Sequence, residues 1–162
     1  LFLNTTSAQD GGQGFMNNTA PTSTVFTQGD QGFVGVNGRD YIAYAFHSVD
    51  GYSKVGSYTG NGSADGPFVD CGFRPAFVVV KRTDAGGGWH ILDNKRASPF
   101  NPIQVRLEAD NSDAENTGGP PNTDLVSNGF KLRTTFDNMN ASGGTYIFLA
   151  FAETPFKFSN AR

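Results

Sequence analysis

The residues able to do chemistry are few and scattered along the chain. Two carboxylates flanking a bond are the minimal apparatus for hydrolysing a glycoside. Candidate groups are Asp65 with Asp70, and Asp110 with Asp113 and Glu115, while Glu153, just after an apolar stretch, is the best-placed single carboxylate. Exposed loop charges account for all of them without catalysis. Calcium needs several hard oxygens at one point, and Asp65, Asp70, Asp110 and Asp113, with Asn61 and Asn111 nearby, are the candidate ligands, although the full EF-hand loop pattern is absent. His47 and His90 are isolated from each other and from any short-spaced ligand pair, so both read as ordinary surface or interface histidines. Cys71 is the single cysteine, which excludes an internal disulfide. Nothing near it in sequence would lower its pKa, so it reads as a buried structural thiol. No Gly-x-Ser-x-Gly elbow occurs. Gly60-x-Gly62-x-x-x-Gly66 is followed by neither Lys-Ser/Thr nor a helix pattern, so it reads as a turn and not a phosphate loop. The expectation is a protein that is not an enzyme and carries no cofactor.

Aromatic side chains are the alternative chemistry, because a ring face packs against the C–H face of a sugar. Trp89 reads first as a core ring and second as such a platform; Tyr52, Tyr58 and the loop-borne Phe100 are further contact candidates. The receptor-binding set is therefore Trp89, Tyr52 and Tyr58. Lys81-Arg82 and Lys95-Arg96 flank one hairpin and have Asp84 and Asp93 within reach. Exposed pairs of this kind contribute only about 0–1 kcal/mol each. Net charge is −3 with no basic run, so there is no electrostatic footprint for nucleic acid.

These residues have to be positioned by strands. Of 162 residues, 21 are Gly and 15 are Phe, while charged residues make up only 17%, against roughly 25% in ordinary globular domains. Glu and Lys, strong helix formers, are scarce. That mix excludes coiled coils, helical bundles and disorder, and leaves an all-β protein with tight turns. Tyr41–Phe46 and Tyr146–Phe151 are apolar on both alternating faces, which predicts interior strands. Phe77–Lys81 is a third such strand, entered through Pro75. Trp89–Asp93, Val105–Ala109, Phe130–Thr135 and Val25–Thr27 are shorter strand candidates. Gly86-Gly87-Gly88 is a turn, Ser112–Thr123 a loop with a short helical turn at Ser112–Asn116, and Asn37-Gly38 a hairpin signal. The longest apolar runs are strand-sized, so no membrane insertion is expected. The fold predicted is a β-sandwich of jelly-roll type.

An internal repeat runs through these elements. Tyr41-Ile42-Ala43-Tyr44-Ala45-Phe46 matches Tyr146-Ile147-Phe148-Leu149-Ala150-Phe151, and Gly32-Phe33 and Gly129-Phe130 precede them. Leu1-Phe2-Leu3-Asn4 lines up with Ile91-Leu92-Asp93-Asn94, and Thr22–Phe26 with Asn122–Val126. Residues 1–51 thus read as the second half of a first repeat unit, and 52–162 as a complete second unit, which leaves room for one shared core. The stretch 52–90 has no earlier copy. The expectation is that the first unit's other half lies before Leu1.

The segment from Gly51-Tyr52-Ser53-Lys54-Val55-Gly56-Ser57-Tyr58-Thr59 to Gly66-Pro67-Phe68-Val69 resembles a stretch that recurs in virion proteins of tailed, mostly marine phages, described as tail-fibre or structural proteins. Gly72-Phe73-Arg74-Pro75, Val80-Lys81-Arg82-Thr83, Asp93-Asn94-Lys95-Arg96, Ser127–Arg133 and the ending Ala150-Phe151-Ala152-Glu153-Thr154-Pro155-Phe156 to Ala161-Arg162 are similar to the same family. The resemblance covers essentially the whole chain and implies that Arg162 is the natural end. It implies a non-enzymatic C-terminal domain of a phage tail fibre or other appendage. The domain would be assembled in the host cytoplasm, exposed on the particle, homotrimeric with other fibre subunits, and bound to a host-surface glycan or protein. A polysaccharide depolymerase and a ligand-free capsid decoration or fibre-shaft module are the alternatives.

Overall fold

The structure is a computed structural model that describes residues 1, 3–9, 14–30, 32, 34–96, 100–117, 119 and 122–156. Phe2 and Phe33 of the expected repeat, the Gly118 and Pro120-Pro121 part of the 112–123 loop and the 157–162 tail lie outside the described residues. Two units divide the chain: Leu1–Gln9 with Phe46–Arg162, and Asp10–Ala45.

In the larger unit the described residues form two antiparallel sheets. The strands are β1 (Ser53–Thr59), β2 (Phe68–Asp70), β3 (Pro75–Arg82), β4 (Trp89–Asp93), β5 (Leu107–Glu108), β6 (Thr123–Val126), β7 (Gly129–Leu132) and β8 (Thr145–Ala152), with one helical turn, α1 (Asp137–Asn140). The five-stranded sheet runs β1-β8-β3-β4-β5 and the three-stranded sheet β2-β7-β6. The protein is all-β. β8 lies between β1 and β3, pairing Leu149 with both Val55 and Val79.

Alternation decides which side chains meet. Val78, Val80, Leu92, Tyr146, Phe148 and Ala150 face inward from the larger sheet, and Val69, Leu125, Phe130 and Leu132 from the smaller one. The rings of Phe130 and Phe148 meet edge-on across the gap, 5.4 Å apart. This is sandwich packing, with two apolar faces interdigitated. Asn140 of α1 is fully buried and ties the sandwich's open end. Its amide nitrogen donates to the carbonyls of Thr134 (2.7 Å) and Ser63 (2.8 Å), and its oxygen accepts from Asn61 N–H (2.8 Å). Between β2 and β3 the chain turns at Gly72, whose φ of +77° suits a residue without a Cβ.

Trp89–Asp93 is a strand with the predicted bounds, Phe77–Lys81 lies within β3, and Tyr146–Phe151 lies within β8. The Val105–Ala109 candidate shrinks to two residues, and the helical turn forms at Asp137–Asn140 instead of Ser112–Asn116, where Asn116 bridges to Arg106 instead. The smaller unit differs most. Its described residues include no strand, and neither Val25–Thr27 nor Tyr41–Phe46 joins a ladder. Turns organise it. Thr22 Oγ1 accepts from Val25 N–H (3.1 Å), Gly29 N–H donates to Phe15 C=O (3.0 Å), and Gly38, at φ +77°, lies in the Val36–Arg39 turn. Among the described residues no helix is long and apolar enough to cross a membrane.

Candidate functional site

The outward face of the five-stranded sheet is built in rows, since side chains two apart on a strand share a face. One row reads Ser53, Phe151, Phe77, Asp93 across β1, β8, β3 and β4. The next reads Val55, Leu149, Val79, Ile91, and the third Ser57, Ile147, Lys81, Trp89. The first row carries a cluster of rings. Tyr52, just before β1, meets Phe151 edge-on at 5.8 Å and stacks on Phe156 at 5.2 Å with the planes 12° apart. Phe46 meets Phe151 at 6.4 Å and Phe77 lies 6.1 Å from it. Tyr52, Phe46 and Phe156 are 38%, 58% and 52% exposed.

Phe156 is held at φ +62°, a left-handed backbone that bulky residues rarely adopt and that costs about 1–2 kcal/mol. The bond from its N–H to Gly51 C=O (3.0 Å) and the stack on Tyr52 hold it there. The outcome is a ring fixed face to face with another at the surface.

Polar groups rim this cluster. Beside Phe77 is a shallow depression lined by Ala76, Phe77, Asp93, Asn94, Lys95 and Arg96. Asn94 donates to Glu153 Oε1 (2.6 Å), and Arg74 pairs with Glu153 Oε2 (3.0 Å). Asp93 accepts from the backbone of Lys95 and Arg96 and pairs with Arg96 Nε at 2.7 Å. These bonds hold its carboxyl below the usual range although its partial burial opposes the shift. Asn94 Oδ1 is buried without a hydrogen-bond partner. The arrangement offers apolar plates beside fixed donors and acceptors, which is the makeup of a site for a small polar ligand with an apolar face.

The three rings expected to bind receptor are not brought together. Tyr52 belongs to the cluster above. Trp89 lies on the same face but four residues along β4 from Asp93, about 13 Å away at the rise of a strand. Tyr58 faces inward: it stacks on Tyr146 at 4.9 Å and donates its hydroxyl to Met139 C=O (2.8 Å), and burial raises its pKa. It packs against the core as a partly buried ring. The loop-borne Phe100 is 74% exposed.

The four carboxylates expected to hold calcium are not brought together. Among the described residues no group of three or more His, Cys, Asp or Glu side chains could hold a metal ion. Asp65, Asp70 and Asp110 each have separate partners, and of Asp113 the backbone is held. Asp65 pairs with Lys131 (2.8 Å) and Arg133 (3.4 Å), which lowers its pKa. Asp110 accepts from Trp89 N–H (2.7 Å), Asp70 from Asn128 (3.4 Å), and Asp113 N–H donates to Asn111 (3.0 Å).

Two further titratable groups behave unlike their sequence reading. His90 is fully buried, not a surface residue. Burial pushes its pKa down to about 4, with Arg106 adding to the effect and Glu108 opposing it. Its Nδ1 lies 3.4 Å from Glu108 Oε1 without hydrogen-bond geometry, and a neutral imidazole makes this a contact and not an ion pair. Lys81 is fully buried on the opposite face and donates to Gly87 C=O (2.8 Å) and Thr6 C=O (3.3 Å), so it does not join Asp84. Arg82 takes Asp84 instead, through two contacts of 3.1 Å. Cys71 is the buried thiol expected, pushed up to about 12 chiefly by burial.

Sequence reasoning missed Phe77, Phe151, Phe156 and Asn94 as one site. The signal was the apolar outward register of β3 and β8, which was read only as a sign of interior strands.

Residues 1–155 match the family described as Domain of unknown function (DUF7483). The chain belongs to that family. No curated protein and no solved structure matches it. Family membership therefore carries no activity or ligand, and the surface geometry is the guide to function.

Proposed function

We propose that the protein is a non-enzymatic virion structural protein, a domain of a phage tail fibre or other appendage, that binds a host-surface glycan. The ring cluster of Tyr52, Phe156 and Phe151 with its Asn94–Glu153–Arg74 rim is the single observation that carries the binding reading. Sugar rings present C–H faces to aromatic plates and hydroxyls to carboxylates and amides, so one patch serves both. The virion setting rests on the sequence resemblance described above.

A shallow patch of this kind binds weakly. Display on a homotrimeric fibre, repeated over the particle, raises avidity by 10²–10⁴ without new contacts. No chemical step is required. Asp93 and Glu153 of the patch each pair with an arginine, which fixes them as acceptors for a ligand's hydroxyls.

The test is an array of bacterial surface polysaccharides probed with the full chain displayed multivalently. Binding to a defined subset is expected, and Tyr52→Ala is expected to weaken it by at least tenfold while the fold is retained. Release of reducing ends from a bound polysaccharide would support the depolymerase reading instead. Absence of binding across the array and to host cells would favour a ligand-free structural module.

A further inference from the structure

β8 is the central strand of the larger sheet, hydrogen-bonded on one side to β1 and on the other to β3. Both neighbours come from residues 52–90, the stretch that has no counterpart in the first repeat. Tyr41–Phe46 is the copy of β8, position for position. Tyr41, Ala43 and Ala45 correspond to Tyr146, Phe148 and Ala150, which are buried between the sheets. Ile42, Tyr44 and Phe46 correspond to Ile147, Leu149 and Phe151 of the outward rows. Yet Tyr41–Phe46 has no ladder partner among the described residues, and Ile42 and Tyr44 are each 82% exposed. A strand-competent apolar segment whose edges carry no ladder partner among the described residues is a template for other strands.

We infer that Tyr41–Phe46 is a strand acceptor whose occupant is a segment of the 52–90 type from another unit of the same family. It takes one antiparallel strand of the Ser53–Thr59 kind and one of the Pro75–Arg82 kind, and so becomes the centre of a second sheet like the first. A second copy of this chain is a poorer occupant, because its own residues 53–82 already pair with its own β8. Repeat units that bury their faces only against matched neighbours behave in this way.

The experiment adds one extra copy of residues 52–90 directly ahead of Leu1 in the full chain. Since 1–4 aligns with 91–94, this junction imitates the natural step from residue 90 to 91. Amide hydrogen exchange is followed in a peptide spanning 41–46, with a peptide spanning 145–152 as the internal reference. In the chain without the addition, 41–46 exchanges near the unstructured rate and 145–152 is protected. With the addition, protection of 41–46 rises at least 100-fold. Ala45→Asp places a charge at the position of the buried Ala150. It is expected to abolish the gained protection while leaving 145–152 protected with or without the addition. The inference is overturned if 41–46 stays unprotected while 145–152 is protected. It is equally overturned if the added segment only strips protection from 145–152, or if the unextended chain is a dimer already protected at 41–46.

Discussion

His90 shows how far a single residue departs from its appearance in sequence. An isolated histidine in a short alternating strand carries no mark of burial, because burial depends on what crosses the sheet face. Here Phe136 packs 5.5 Å from its ring, Arg106 lies over Phe136 at 5.1 Å, and Glu108 sits alongside. The consequence is a pH-dependent stability. The unfolded histidine takes a proton near pH 6.5, and the folded one near pH 4. Between these values the unfolded state binds more protons, so stability is full above pH 6.5 and falls as the pH drops toward 4. A shift of this size corresponds to a loss of about 3 kcal/mol. Glu108 and Asp110 draw the pKa of His90 upward and Arg106 and Lys81 push it downward, but burial outweighs them all. Urea unfolding at pH 7 and pH 4.5 is expected to show the drop, and His90→Gln to flatten it. Asp84, held down to about 2, contributes only to a separate loss at still lower pH. Cys71 was legible as a buried thiol because nothing in its surroundings suggested reactivity. The calcium ligands were not legible, because convergence of side chains is a property of the folded chain alone.

At the scale of elements, long apolar runs were readable and short polar ones were not. β3 and β8 announced themselves by apolar residues on both faces, and Trp89–Asp93 by its alternation. β1 did not: Ser53-Lys54-Val55-Gly56-Ser57-Tyr58-Thr59 has the composition of a loop and becomes a strand by pairing along all seven residues with β8. Tyr41–Phe46 failed in the opposite sense, since pattern alone cannot form a strand without partners. The three-stranded sheet depends on a contact that only glycine permits. A Cβ on Gly129 would lie 2.1 Å from Val69 C=O across the β2–β7 ladder. Backbone atoms there cannot yield, so Gly129→Ala is expected to force the ladder apart and destabilise the protein by about 1–3 kcal/mol. Chemical denaturation of the variant checks this. An unchanged midpoint would mean that β2 is not held against β7 in solution.

At the scale of the molecule, the all-β sandwich followed from composition: Gly for turns, Phe for two facing sheets, and too few Glu and Lys for surface helices. The candidate site did not follow, because it joins residues from the 46–52 approach, β3, the turn after β4, and the end of β8. Tyr52 was singled out in advance. Its partners Phe151 and Phe156 are about a hundred positions away and become neighbours only through the β1–β8 register. The measurement that bears most directly on the binding claim is backbone NMR of the full chain titrated with a bacterial polysaccharide fragment that it binds. Shifts are predicted to cluster at Tyr52, Phe77, Asn94, Phe151 and Phe156, while amides around Trp89 and in the 112–117 loop stay still. Shifts confined to Trp89 or that loop, with the ring cluster unmoved, would contradict the assignment.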